Sequence, residues 1–290
     1  MKFSLVLLFV ILSVNQLFAL GTLELVNSRT VDMNLVENLT ISYSSDNIIL
    51  LESNDSRLVL KEYMTRNSLE YYAIIENSQN AITIKNGKRP LLIRTRIEIY
   101  IPKMFKDNLV VNLLSGNLTA NYAMNNKTIN LSVSSGNLKI DKIQTENAVI
   151  EVSSGNILID ELFGNDLVVK NGSGNISIYS FKGKVNTVNR SGNIVVSNFT
   201  GEGTFDVRSG SIDLTVNDII GDISLSSGSG NIDLIMRRNI SYILDAEVRS
   251  GTINAPDLRR QVNTTVQHNI GFTPIYKVFA KCGSGNINIR

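Results

Sequence analysis

The chain repeats a four-residue motif, serine–glycine–small polar residue–aliphatic residue, nine times between positions 115 and 287. Successive motif glycines are 20, 19, 19, 18, 18, 20, 21 and 34 residues apart. A fixed period of this length indicates a coil of stacked turns, because two or three short strands with their corners use about 18–21 residues. The spacing predicts an all-β parallel β-solenoid (β-helix) with one motif in each turn, or rung. The motif glycines are Gly116, Gly136, Gly155, Gly174, Gly192, Gly210, Gly230, Gly251 and Gly285.

Residues on both sides of each glycine alternate between apolar and polar. Ile157 and Ile159 follow Gly155, for example, while Ile150 and Val152 precede it. Strict alternation is the period of a strand with one buried face. Each motif is therefore predicted to be a corner between two strands. Glycine accepts the positive φ of a sharp corner, and the asparagine after it can hydrogen-bond to its counterparts on adjacent rungs in a ladder.

The apolar pattern is interrupted in four rungs, each time at the position three residues before the motif glycine. The residues there are Asn171, Asn189, Ser227 and Cys282. This position faces inward, so Cys282 is predicted to be a small core residue and not a reactive thiol. The other three either form a short internal polar stack or mark bulges that move neighbours such as Val188 inward.

Residues 21–110 lack the motif but still alternate in short β-like segments, including 39–43 and 97–101. They are either irregular first rungs or a cap on the first regular rung, since the terminal repeats of solenoids are usually atypical. The regular solenoid is predicted to span 111–290.

The longest interval between motifs contains an insertion, predicted as an exposed loop at about 255–272. It carries Pro256, Arg259, Arg260 and His268. A loop on a rigid scaffold is a common place for binding, and a tolerated insertion explains it equally well. The last motif lies five residues before the final residue of the sequence, which leaves its rung uncapped. We expect the insertion loop or a second copy of the chain to cover this rung, so self-association through it is a further expectation.

Residues 1–20 have the pattern of a signal peptide. Lys2 precedes an apolar run from Phe3 to Val14, and Ala19 lies at a small-residue cleavage position. The apolar run is shorter than the roughly 20 residues that span a bilayer. An uncleaved membrane anchor is the alternative. The chain is therefore predicted to be exported, to the periplasm, the cell surface or the extracellular space.

Composition argues against several classes of function. The net charge is only +2 and there is no tryptophan, whereas nucleic-acid binding calls for clustered Lys and Arg beside exposed aromatics. Cys282 is the only cysteine and His268 the only histidine. No intramolecular disulfide and no multi-cysteine zinc site can form, and a Cys–His catalytic pair is disfavoured.

No catalytic, cofactor or metal site is predicted. Calcium binds some β-helices through carboxylates at Gly- and Asp-rich corners, but these corners carry Asn, Ser or Thr. A β-helix enzyme acting on envelope or extracellular polysaccharide is the alternative function, and it needs carboxylates clustered on adjacent rungs. The acidic residues considered for this role are Asp141, Asp160, Glu161, Asp213 and Asp233.

The order of these features resembles the bacterial putative-adhesin family of unknown function, adhesin-like β-solenoid domains related to the head GIN domain. The features are the leader, the irregular β lead-in, the Ile97–Pro102 strand and the serial Ser-Gly-Asn-Ile corners. The resemblance covers about residues 25–290 and implies a right-handed parallel solenoid at the cell envelope. It brings no catalytic residues. The predicted function is a non-enzymatic, adhesin-like interaction or structural module, whose partner is an unidentified surface protein or glycan.

Overall fold

The computed structural model describes residues 21–290 and shows a parallel β-solenoid. The signal-peptide prediction lies outside these residues. Within them, no helix has the length and apolar character needed to cross a membrane. The only helical element described is a single 3-10 turn, Leu69–Tyr71. The hand of the coil stays a prediction.

The central rungs each consist of a strand, a motif corner and a second strand that pairs in parallel with its counterparts on adjacent rungs. In the later central rungs the second strand runs without a break into the first strand of the next rung. The ten central strands are β8 (Asn108–Ser115), β9 (Leu118–Met124), β10 (Thr128–Ser135), β11 (Leu138–Gln144), β12 (Asn147–Ser154), β13 (Ile157–Ser173), β14 (Ile176–Ser191), β15 (Ile194–Ser209), β16 (Ile212–Ser229) and β17 (Ile232–Met236).

One continuous column of aliphatic side chains runs through the core. The residue two positions after each corner glycine pairs in register with its counterpart on adjacent rungs, and every member is at most 1% exposed. Ile157, Ile176, Ile194 and Ile212 therefore lie in one file, as the repeat predicts. In spatial order the column is Ile97, Ile48, Leu118, Leu138, Ile157, Ile176, Ile194, Ile212, Ile232, Ile287 and Ile253.

The N-terminal region supplies both rungs and a cap. Its seven strands are β1 (Glu24–Asp32), β2 (Asn38–Tyr43), β3 (Asn47–Ser53), β4 (Arg57–Met64), β5 (Ile74–Asn77), β6 (Ala81–Lys85) and β7 (Thr95–Pro102). β2 and β3 form a rung parallel to β8 and β9, and β6 and β7 stack on that rung in parallel. β4 and β5 then add in antiparallel orientation, with β1 outermost on β4.

The C-terminal rungs are stacked out of sequence order. The six strands are β18 (Tyr242–Ser250), β19 (Thr252–Asn254), β20 (Gln261–Val262), β21 (Thr265–Ile270), β22 (Lys277–Ser284) and β23 (Ile287–Ile289). The rung of β22 and β23 pairs with β16 and β17 on one side and with β18 and β19 on the other. The last rung in sequence is thus an internal rung in space.

This order corrects the picture of an uncapped C-terminal rung. The rung of Gly285 has partners on both sides, so it offers no free edge for self-association. The segment predicted as an open insertion loop contains β20 and β21, which pair antiparallel with β19 and β18 and cover the outermost rung. Both ends of the solenoid are therefore closed by antiparallel strands, which leave fewer parallel edges open to other chains.

Candidate functional site

The motif corners have the backbone geometry that only glycine adopts readily. All nine motif glycines have positive φ, between 116° and 143°. At Gly155 an added Cβ would lie 1.9 Å from the carbonyl oxygen of Gly136 on the preceding rung. Positive φ and this close approach together exclude any side chain. The glycines build the edge of the solenoid and contact no ligand in this role.

An amide ladder runs beside the glycines. The backbone N–H of Asn175 donates to Oδ1 of Asn156 at 2.9 Å, and the same bond recurs from rung to rung. Ser211 takes part through its hydroxyl, and Thr252 donates to Asn286 at the outermost rung. The ladder joins Asn47, Asn117, Asn137, Asn156, Asn175, Asn193, Ser211, Asn231, Asn286 and Thr252.

A column of exposed serines lies next to this ladder. Each motif serine pairs in register with the serine of the adjacent rung. Its backbone carbonyl accepts a hydrogen bond from a corner N–H, which belongs to Asp46 for Ser115 and to a glycine for the other eight. Nine serines at about 4.8 Å spacing extend over roughly 38 Å. We call this surface the serine edge. In spatial order it consists of Ser115, Ser135, Ser154, Ser173, Ser191, Ser209, Ser229, Ser284 and Ser250.

The four inward residues before the corners hold the corners in place. Asn171 donates from Nδ2 to the Gly155 carbonyl at 2.9 Å, and Asn189 makes the equivalent bond to Gly174. In the same way, the Ser227 hydroxyl donates to the Gly210 carbonyl and the Cys282 thiol to the Gly230 carbonyl, each on an adjacent rung. Burial raises the pKa of the Cys282 thiol. All four side chains are buried, and the Oδ1 atoms of both asparagines accept no hydrogen bond within the described residues.

The candidate acidic residues do not converge on one site. Asp213 and Asp233 are in register on adjacent rungs, but the positions beyond them carry Val195 and Asn288. Asn288 donates to Asp233 at 2.9 Å. Partial burial, with a smaller contribution from Asp233, raises the pKa of Asp213.

Asp141 and Asp160 occupy equivalent positions on adjacent rungs and form a second column of two, which ends at Tyr179 on the next rung. Glu161 forms an ion pair with Lys142 at 2.7 Å. His268 on β21 and Cys282 on β22 lie on opposite sides of β18. Within residues 21–290, no group of three His, Cys, Asp or Glu side chains is placed to hold a metal ion.

A buried charged cluster at the N-terminal end was missed by the sequence reasoning. Asp46 occupies the place of the corner glycine in the β2–β3 rung and forms an ion pair with Arg89 at 2.8 Å. Burial outweighs this ion pair and raises the pKa of Asp46. Glu62, with a fully buried side chain, accepts the Ala73 N–H at 3.0 Å and lies 3.9 Å from Arg89. The Ser45–Ile48 segment matches the motif except at this aspartate, which was the available signal.

A cleft of about 740 Å³ opens in the N-terminal rungs, at the strand ends opposite the Asp46 corner. It lies where β2, β6 and β8 begin. Much of its wall comes from residues 33–37 and from Pro102, Met104, Phe105 and Asp107. Its lining combines apolar side chains, amides and two carboxylates, so it is suited to a ligand with both apolar and polar parts. Nothing in the sequence pattern marks this cleft, because its residues come from loops without periodicity.

A comparison with solved structures finds several similar chains. A putative adhesin from Bacteroides fragilis is 12% identical, with a TM-score of 0.44, over 91% of this chain and 96% of the other. A putative adhesin from Parabacteroides distasonis is 13% identical, with a TM-score of 0.42, over 92% and 97%. No curated protein matches the sequence. The model of the Toastrack DUF4097 family matches residues 36–290, and the chain belongs to this family.

Proposed function

We propose that the protein is a non-enzymatic, exported interaction module of the bacterial cell envelope, which binds a surface protein or glycan through the serine edge. The observation that carries this proposal is the register of the serines: nine exposed serines stand in one column about 38 Å long on the solenoid. A partner that lies along this column can make the same contact on each rung, so weak contacts add up along the edge.

The arrangement of acidic residues favours binding over catalysis. A polysaccharide-cleaving β-helix needs an acid and a base across one bond, with a groove to hold the sugar chain. Here Asp213 and Asp233 form a column of two that ends in Val195 and Asn288, and Asn288 engages one of the carboxylates. The column of Asp141 and Asp160 is equally short. Neither column therefore supports a named catalytic role.

Binding to a glycan array and to immobilised envelope fractions tests the proposal. The variant Ser135→Lys/Ser154→Lys/Ser173→Lys places three bulky charges at exposed positions of the serine edge. The matched control, Asn121→Lys/Asn130→Lys/Asn147→Lys, adds the same charge at exposed positions away from that edge. We expect the edge variant to lose binding at least tenfold and the control to bind like the wild type. Equal binding by both variants contradicts the role of the edge.

Cell fractionation tests export separately. The chain detected with an antibody is expected in the envelope or the medium, and cleavage after about residue 20 is expected to shorten it. Recovery of the full-length chain in the cytoplasm contradicts this part of the proposal without touching the binding result.

A further inference from the structure

The cleft at the N-terminal end has features that the serine edge lacks. Glu37, Asn80 and Asp107 directly precede β2, β6 and β8, whose first residues are in register. Their polar side chains therefore come together at one end of three adjacent strands. The cleft volume of about 740 Å³ falls within the roughly 300–1,000 Å³ of sites that enclose a ligand.

Two large apolar side chains stand exposed in the cleft wall. Leu35 is 87% exposed and Met104 is 82% exposed, whereas Met33 and Phe105 beneath them are buried. A single exposed leucine is ordinary, but two such side chains on separate loops of one cleft form an apolar surface that a partner can cover. Methionine is flexible and polarisable, and it is common on surfaces that accept varied apolar groups.

The left-handed backbone of Leu35 closes a turn in which the Val36 N–H donates to the Met33 carbonyl at 3.2 Å. The φ of Leu35 is 61°, in the left-handed region that leucine rarely adopts. The side chain is exposed, so it gains little from packing in the folded protein. The turn places the exposed Leu35 side chain in the lining of the cleft.

The charge in the cleft is negative. Glu37 and Asp107 are the only charged residues that line it, and the other polar lining groups are neutral. Asn80 donates from Nδ2 to Glu37 Oε2 at 3.1 Å and so orients that carboxylate. A cation next to an apolar group is the complement of this surface.

We propose that the cleft binds a peptide segment of a partner protein in which an apolar side chain stands beside a lysine or arginine. The apolar side chain packs between Leu35 and Met104, and the cation lies near Glu37 and Asp107. A glycan is less favoured, because its hydroxyls would leave the exposed Leu35 and Met104 side chains without an apolar contact. This site lies at the strand ends opposite the corners and is separate from the serine edge.

Titration of protein labelled with ¹³C at the methionine methyl groups tests this proposal. The probes are three dipeptides and one glycan. The dipeptides are N-acetyl-leucyl-lysinamide, N-acetyl-leucyl-glutamic acid α-amide and N-acetyl-glycyl-lysinamide, and the glycan is maltoheptaose. We expect the leucyl-lysine probe to shift the Met104 methyl signal while that of Met236, far along the solenoid, stays in place. Its half-saturation concentration is expected to be at least threefold lower than those of the two other dipeptides.

Two variants separate binding from folding. Leu35→Asn removes the apolar wall, and asparagine tolerates the left-handed region, so we expect weaker binding together with an unfolding midpoint raised by about 1–3 °C. Leu92→Asn is the matched control, because Leu92 is also exposed at φ 67° but lies in the corner loop before β7. It is expected to raise the midpoint without changing the titration. The double variant Glu37→Gln/Asp107→Asn is expected to abolish the preference for lysine over glutamate.

Three results overturn the proposal. They are the absence of a Met104 shift with the leucyl-lysine probe, equal half-saturation for all three dipeptides, and a Met104 shift produced by maltoheptaose alone. The last result assigns the cleft to a glycan. None of these results bears on the serine edge, whose test uses other variants.

Discussion

Arg89 donates from Nε to both carboxylate oxygens of Asp46, at 2.8 and 3.1 Å, at the corner where later rungs carry glycine. Both side chains are almost fully buried. Arg89 also donates to the Tyr71 carbonyl and lies 3.9 Å from Glu62. A charged side chain thus links the first corner to the antiparallel cap, so the cap and the first rungs should unfold together.

Replacing Arg89 with methionine should destabilise the protein strongly. The change preserves most of the apolar stem but leaves Asp46 and Glu62 buried without this cation, which costs about 3 kcal/mol or more. Chemical denaturation measures the loss. Arg94→Met is the control on an exposed neighbour and should change stability by less than about 0.5 kcal/mol. The double variant Asp46→Asn/Arg89→Met removes both charges and should be more stable than Arg89→Met alone. A loss below about 1 kcal/mol for Arg89→Met contradicts the structural role of the cluster.

Gly155→Ala should disrupt the stacking of two rungs. The added Cβ meets the Gly136 carbonyl oxygen at 1.9 Å, and φ is +142°. Both effects act against the folded state, so we expect a loss of about 3 kcal/mol or more in the free energy of unfolding. Ser154→Ala, at the adjacent exposed position, should be nearly neutral. Equal stability of the two variants in urea denaturation would argue against a close-packed corner.

The amide ladder should tolerate a hydroxyl but not a methyl group. Asn156 accepts the Asn175 N–H at 2.9 Å, and Ser211 serves the same purpose for Asn231 in another rung. Asn156→Ala removes the acceptor and should lower the free energy of unfolding by about 1 kcal/mol. Asn156→Ser should retain most of that stability. Similar losses for the two variants would show that the ladder contributes through something other than the acceptor atom.

Partial burial and the nearby Asp233 raise the pKa of Asp213. Because its pKa is higher in the folded than in the unfolded protein, protonation of Asp213 stabilises the fold. The contribution is complete below the ordinary aspartate pKa and is lost as the pH rises through the raised pKa. A carboxyl-carbon NMR titration should give a midpoint above the usual aspartate range, and Asp233→Asn should lower it. An unchanged midpoint in that variant would leave burial as the only cause.

The repeat made the column of Ile157 and its counterparts predictable, since every motif copy places an aliphatic residue at the same distance from its glycine. It could not predict which rungs are neighbours. The corner of Gly285 fits against that of Gly230 or Gly251 equally well, because the corners are alike in sequence, and only the longer chain between 251 and 285 hinted at a rearrangement. Leu35 and Met104 lie in aperiodic loops, so their meeting at the cleft depends on the three-dimensional path of the chain.

The internal position of the last rung predicts its hydrogen exchange. β22 pairs on one side with β16 and on the other with β18, and its core residues Val278 and Ala280 are buried. Its amides should therefore exchange as slowly as those of β14, in the middle of the solenoid, since opening them requires the separation of two interfaces. β21 has one strand partner in the described structure and should exchange much faster. Exchange followed by mass spectrometry compares the three strands in one sample. Fast exchange in β22, similar to that of β21, would mean that the rungs are stacked in sequence order and that the last rung frays at the end of the solenoid.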